Sequence, residues 1–378
     1  MNTPVYLDNA ATTPLHPQVI EAMVASMTTV FGNPSSTHSM GRIARTEIEK
    51  ARKTVASILG CSPSEIFFTS GGTEADNMAL RCGVRDLGVK HLISSKIEHH
   101  AITHTLDELE KEGSVTVSYV GVSSRGILQL DELEELLLRH PNSMVSLMHA
   151  NNEIGNIIDL QQIGGMCRKY GAYFHSDTVQ TIGQFAFQLS DIPVDIINAA
   201  AHKFNGPKGV GFIYIRSGLA LKPILHGGAQ ERNMRGGTEN VYGIIGLAKA
   251  LELAYSDLNE KQQHIKKIKT HMINALLKAV PGVSFNGDYD GNSLNSVLNV
   301  SLPPSPNAEM VLFNLDIAGI CASGGSACSS GSAIGSHVLA ELGVPKERAA
   351  VRFSFGKQTT IEEVDYAVKT LRQILLPA

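Results

Sequence analysis

The sequence predicts an α/β protein whose large part is a mostly parallel, helix-flanked sheet and whose smaller part is α+β. Three observations carry this. From residue 64 to about 215, short β-rich runs alternate with amphipathic helical stretches, and strands joined through helices of that length pair in parallel. The 378 residues are 43% hydrophobic, enough for more than one core at about 150 residues per domain. A long helical stretch from Val241 to about Val280 breaks the alternation, and the order of elements changes after it.

The elements follow in order. IFFT (66–69) precedes the helical EADNMALR, HLIS (91–94) a helix near 101–112, and VTVSYV (115–120) the helical LDELEELLLRH. MVSLMHA (144–150), a helix near 159–170 and AYFHS (172–176) continue the series. DIINAA (195–200) and GVGFIYI (209–215) have no long helix between them, so one edge of the sheet is expected to be antiparallel. Ser256-Asp257 offers an N-cap for the basic stretch that follows. The expected domains are therefore 13–257, and 1–12 with 258–378. SVLNVSL (296–302), AEMVLFNL (308–315), VRFSF (351–355) and a closing amphipathic helix make up the smaller one. Within it, ten of the fifteen residues of ASGGSACSSGSAIGS (322–336) are Gly or Ser, the composition of a flexible loop, expected to be poorly ordered without substrate or partner.

Composition excludes several functions. Lys and Arg number 32 against 36 Asp and Glu, a net charge of −4 without a long basic run, so nucleic acid is not an expected partner. No apolar run approaches the roughly 18 residues of a membrane span, and the N-terminus lacks a signal-peptide pattern. Five widely spaced cysteines without a C-x-x-C pair suggest free thiols and a cytoplasmic setting. No Walker A or G-x-G-x-x-G pattern follows a strand. His100 and His104 stand at zinc-ligand spacing beside His99, but no evident carboxylate or Cys completes a set, so no metal is expected.

Three segments carry chemistry. In Thr69-Ser-Gly-Gly-Thr-Glu-Ala-Asp-Asn77, glycines and Thr73 at a helix start suit a phosphate, though a plain cap reads the same way. Asp177 ends a strand, where α/β sheets collect ligand groups, and is equally a capping Asp. Lys203 follows the apolar run DIINAAA, which suits a desolvated Schiff-base amine; alone, it is also a surface lysine. Together, a phosphate cup, an Asp for a pyridinium nitrogen and a lysine are the parts required by pyridoxal 5′-phosphate.

The ordered motifs LDNAATTP (7–14), TSGGTEADN (69–77), EHHA (98–101), HANNEIG (149–155), HSDTVQ (175–180), AHKFNGPKG (201–209), RGGTEN (235–240), SGGSACSSGS (323–332) and VRFSFG (351–356) resemble cysteine desulfurases of the NifS/IscS type. These are class V aminotransferase-like enzymes of the pyridoxal phosphate fold-type I, with a seven-stranded sheet. The resemblance implies that Lys203 carries the cofactor, Asp177 bonds its ring nitrogen, Gln180 its phenolic oxygen, and His99 stacks on its face. Gly72, Thr73 and His202 hold the phosphate together with Thr238 from the other subunit of a homodimer. Asn152 lies at cofactor and substrate, and Arg352 clamps the substrate carboxylate with a planar fork.

Cys328 is implied as the nucleophile that takes sulfur from L-cysteine as a persulfide, leaving alanine and passing the sulfur to an acceptor, such as an iron–sulfur scaffold protein. His99 is the expected acceptor of the thiol proton. Cys61, Cys82, Cys167 and Cys321 read as small buried hydrophobes, with Cys321 the one to test as a second sulfur site. Two departures stand out: Ala199, Ala200 and Ala201 replace a Ser that many relatives use for the phosphate, and no C-terminal extension for scaffold docking follows Leu376-Pro-Ala378. Alternatives are a selenocysteine lyase, a class V aminotransferase, or a sulfur-relay subunit that depends on a partner.

Overall fold

A computed structural model describes residues 4–324 and 335–376. Cys328, and with it the expectation of a poorly ordered loop, lies outside the described residues. The chain begins with strand β1 (Val5–Tyr6) and helices α1 (Pro17–Thr29) and α2 (Ser39–Leu59). The alternation then runs β2 (Ile66–Thr69), α3 (Gly72–Asp86), β3 (His91–Ser94), α4 (His100–Lys111), β4 (Thr116–Tyr119), α5 (Leu130–Arg139), β5 (Met144–Ser146), α6 (Leu160–Lys169) and β6 (Tyr173–Asp177). β7 (Ile196–Ala200) and β8 (Gly211–Ile215) follow without a long helix between them.

These strands form one seven-stranded sheet in the order β2-β8-β7-β6-β5-β3-β4. Strands from β4 to β7 pair in parallel, while β8 runs antiparallel to both β7 and β2. The antiparallel strand is therefore second from the edge, with β2 outside it. β5, β7 and β8 are buried along their whole length, as strands covered on both faces must be. One covering layer packs Val19, Ile48, Val55 and Leu247 onto Phe174 and Phe212. The other packs Met78, Leu80, Ile102 and Leu106 onto Ile196 and Ile213.

Helices α1 and α2 were not among the expected elements, although α2 has the signal. Ala44, Ile48, Ala51, Val55 and Leu59 recur at helical spacing and are buried. Each large one contributes roughly 1.5 to 3 kcal/mol by leaving water.

After α7 (Val241–Ser256) and α8 (Leu258–Ala279), strands β9 (Ser284–Asn286) and β10 (Val297–Ser301), helix α9 (Val311–Ile317), β11 (Ile320–Cys321), α10 (His337–Glu341), β12 (Ala350–Ser354) and α11 (Ile361–Leu375) build a second core. Leu7, Ile268, Met272, Leu298, Val300, Phe353 and Leu371 pack together there over an antiparallel sheet ordered β12-β10-β9. The N-terminal strand β1 joins this core by pairing in parallel with β11. Asp257 stands at the N-cap position of α8 as expected, but its carboxylate pairs with Lys357 rather than with the helix amides.

Candidate active site

The parallel strands end on one side of the sheet, and the site is assembled there. Asp177 closes β6 with its side chain buried, its Oδ1 accepting the Val179 amide at 2.8 Å. One strand over, β7 runs into a short 3₁₀ turn, Ala201–Lys203, which brings Lys203 to the same place. Between β2 and α3, Gly71 takes φ 153°, which an L-residue avoids, and a Cβ on Gly72 would lie 2.7 Å from Val179. Both glycines are needed for α3 to start this close to β6. The N-cap Gly71 offers no side chain, so the first amides of α3 stay available beside the Thr73 hydroxyl.

A cavity of about 210 Å³ opens at this point. Gly72, Thr73, Asp177, His202 and Lys203 line one part of it, and His99, Asn152, Gln180 and Arg352 the rest. Nine of the eleven expected residues thus meet in one place. Thr238 is exposed on a separate groove with Thr69, Ser70 and Arg235, and Cys328 lies outside the described residues. A neighbouring cavity of about 230 Å³ shares Met148 with the first and contains none of the expected residues.

The electrostatics are those of a site awaiting charge. Burial pushes Asp177 above the ordinary carboxylate value, against the pull of the Val179 amide and the Lys203 charge. Asp76, which lines the same cavity, is pushed well above its usual value by burial and by the charges of Asp177 and Glu98, while Asn198 donates to it at 2.7 Å. Lys203 Nζ donates to the carbonyls of Ala10 and Ala11 at 2.6 and 2.9 Å. Gln180 donates to the Ala10 carbonyl at 3.0 Å, and His202 Nδ1 lies 3.1 Å from the Thr12 hydroxyl. Burial and the neighbouring lysines hold His202 neutral, at about 4.

Arg352, 1% exposed, donates from Nη1 to the Asn152 carbonyl and from Nη2 to Asp8, both at 2.9 Å. Its Nε is buried and has no hydrogen-bond partner among the described residues. An orphaned guanidinium donor beside a cavity suits an incoming carboxylate.

His99 lines the cavity from the start of α4. It caps α4, its Nδ1 accepting the Ala101 amide at 3.1 Å, so the neutral ring carries its proton on Nε2. Burial first, then the Lys203 charge, push its pKa down to about 4. In that state the ring presents an Nε2–H donor. His100 packs on His104 and His337, and its buried Nδ1 has no hydrogen-bond partner among the described residues. Among the described residues no group of three or more His, Cys, Asp or Glu is arranged to hold a metal.

Sequence reasoning assigned no role to Asp8, Ala10, Ala11 or Thr12, although the run 7–14 was singled out. Their contribution is mostly backbone carbonyls and a contact across 344 residues from Asp8 to Arg352, which leave no local signal. Asp76 and Asn198 were likewise missed: Asp76 lies within the run 69–77 but was given no role, and Asn198 inside β7 has no spacing that marks it.

The residues fit pyridoxal 5′-phosphate. An uncapped helix start with a hydroxyl suits its phosphate, a buried carboxylate its ring nitrogen, and a desolvated lysine its aldehyde. The fold and this site define a pyridoxal phosphate enzyme of the aminotransferase type, and residues 5–367 match the family described as aminotransferase class-V. The chain belongs to that family. It is 43% identical to "Cysteine desulfurase IscS" of Dictyoglomus turgidum, over 99% of this chain and 95% of that one. Among solved structures it is similar to a "NifS-like protein", with a TM-score of 0.90, 38% identity and 99% of each chain covered. It is also similar to "SspA in complex with cysteine", with a TM-score of 0.81, 30% identity, and 94% of this chain and 99% of that one covered. Among the described residues no helix is long and apolar enough to cross a membrane.

Proposed function

We propose that this chain is a cysteine desulfurase, which converts L-cysteine to L-alanine and holds the sulfur on Cys328 as a persulfide. The observation that carries the reading is the meeting of Lys203, Asp177 and Thr73 with Arg352 around one cavity. The names of the similar proteins support it.

Gly72, Thr73, His202 and the α3 amides would hold the cofactor phosphate, Asp177 its ring nitrogen and Gln180 its phenolic oxygen, with His99 on its face. Bound there, pyridoxal phosphate supplies an electron sink for charge that develops at the substrate α-carbon. Arg352 and Asn152 orient the substrate, the carboxylate meeting the guanidinium at its unpartnered Nε. Lys203 Nζ, freed from the cofactor, takes the α-proton. The Cys328 thiolate attacks the cysteine sulfur: an S–S bond forms, the C–S bond breaks, and its electron pair stays with the carbon chain. The proton returned from Lys203 and the one the Cys328 thiol gives up in forming its thiolate complete alanine.

Thr238 completes the phosphate site of a second copy, which makes the working unit a homodimer. The chain divides into units 13–257, and 1–12 with 258–378; the change of core near Asp257 supports that boundary. A sulfur-acceptor protein, such as an iron–sulfur scaffold, is the onward partner. A cytoplasmic setting accords with the free thiols Cys61, Cys82, Cys167 and Cys321.

Alanine released from L-cysteine with a reductant present tests the reading. Multiple turnovers in the wild type and none in Cys328→Ala are expected. A cofactor-loaded wild type that releases no alanine would overturn it.

A further inference from the structure

Glu231, Arg232 and Asn233 all have positive φ, 44°, 56° and 65°, a left-handed run of three residues with none of them glycine. Such backbone is unfavourable for L-residues and persists only where the surroundings impose it. Here the Glu231 carboxylate imposes it. It is 4% exposed and accepts from Arg52 Nη1 and Nη2 at 2.7 and 2.9 Å and from the Phe68 amide at 2.8 Å. Arg232 helps to hold the run, donating to the Pro63 and Ile66 carbonyls at 3.1 and 2.6 Å, while Asn233 remains exposed. What the run sets is the direction of the residues that follow.

Those residues are fastened in turn. Arg235 donates from Nε and Nη2 to the two oxygens of Glu74 at 3.0 and 3.2 Å. Gly236 donates to the Leu225 carbonyl, and the amide of Gly237 to Gln230 Oε1. At the end stands Thr238, exposed, outside the cavity of its own chain, its hydroxyl making no hydrogen bond among the described residues. The loop borders an apolar face. Gln230 lies 3.5 Å from Ser35 in the α1–α2 connection, which also carries Phe31, 67% exposed, and Ile20, Val24 and Met27 of α1 are exposed as well. A second copy of this chain is the partner such a face fits.

We propose that Arg235 is a positioning residue for the site of the partner copy: the Glu231 turn and the Glu74 pair present Thr238 to the phosphate held there. Glu74 also accepts the Ser70 amide at 2.9 Å and adjoins Thr73, so the loop lent to one site is tied to the phosphate cup of the other. The inference rests on the reading of Thr238 as a residue given to a second subunit.

Two heterodimers, isolated with two tags, test it through the affinity of lysine-linked cofactor, read by absorbance. In the first, Lys203→Ala pairs with Arg235→Met; the one lysine-bearing site takes Thr238 from an intact loop, and affinity nearer to the wild type than in the second pair is expected. In the second, a wild-type chain pairs with Lys203→Ala/Arg235→Met; the wild-type site takes Thr238 from the altered loop, and about tenfold weaker binding is expected. The reverse pattern, equal affinities, or failure of the wild-type chains to dimerise would overturn the proposal. Should Arg235→Met not fold, Arg235→Gln in the same pairs gives the same readout. Cofactor affinity is read without turnover, so a wild type that binds cofactor yet forms no alanine sinks the desulfurase reading alone.

Discussion

The two sides of the cavity are built differently. The cofactor side is framed by the ends of β6 and β7 and the start of α3, elements packed between two helical layers in one sheet. The substrate side is assembled across the molecule: Arg352 from β12 of the second core, Asp8 from the N-terminal segment, and Asn152 from a turn after β5. The segment 8–13 ties them, since Ala10 and Ala11 receive Lys203 on one side while the Ala10 amide bonds Ser354 on the other. Damage to the cofactor side should therefore be chemical, and damage to the substrate side should appear first in affinity.

The largest effect is expected from Lys203→Ala, which removes the amine that moves the α-proton. Alanine formation should drop by at least about 10²- to 10⁴-fold, the range for a positioned acid–base group, with external amine restoring part of it. Arg352→Lys should raise KM for cysteine by roughly 10- to 100-fold with cofactor affinity unchanged, because a point charge cannot replace the fork. Steady-state kinetics beside cofactor titration checks the contrast. A smaller effect follows from Asp8→Asn, which loosens the Arg352 guanidinium: KM should rise by about 2- to 10-fold with kcat nearly constant. An unchanged KM would mean that Arg352 is oriented by Asn152 alone.

Acid stability sharpens the comparison from another direction. His99, His149 and His202 are each pushed down to about 4 and His175 to about 3, in every case chiefly by burial. The unfolded chain binds these protons near pH 6.5, so stability is present above that value and is lost as pH falls toward 4. The raised carboxyls of Asp76, Glu98 and Asp177 act in the opposite sense. His149→Gln, outside the cavity, should flatten the acid slope of a denaturant titration by about one proton. The smallest effect is expected from Asn233→Ala in the left-handed run: about 1 kcal/mol of stability by denaturant melt, since Asn tolerates that backbone better than Ala.

The cofactor side was more legible in the sequence than the substrate side, for a physical reason. Strand and helix periods mark β6, β7 and α3 locally, and Asp177, Lys203 and Thr73 sit at their ends, where ligand groups collect. Asp8 and Arg352 are 344 residues apart, and nothing near either announces the other. The same holds for Glu231 and Arg52, whose pairing rests on a left-handed turn, 231–233, that holds no glycine to mark it. His99 was found by its motif, yet its role turned on which nitrogen caps α4, which spacing does not encode.

The most direct test titrates L-cysteine against the cofactor absorbance of the wild type, Asp177→Asn and Arg352→Ala, with alanine measured in parallel. In the wild type, cysteine should shift the absorbance and alanine should follow. Asp177→Asn should still respond to cysteine but form little alanine, and Arg352→Ala should keep its cofactor and respond only at far higher cysteine. Equal cysteine responses in Arg352→Ala and the wild type, or undiminished alanine from Asp177→Asn, would contradict the assignment of these two sides.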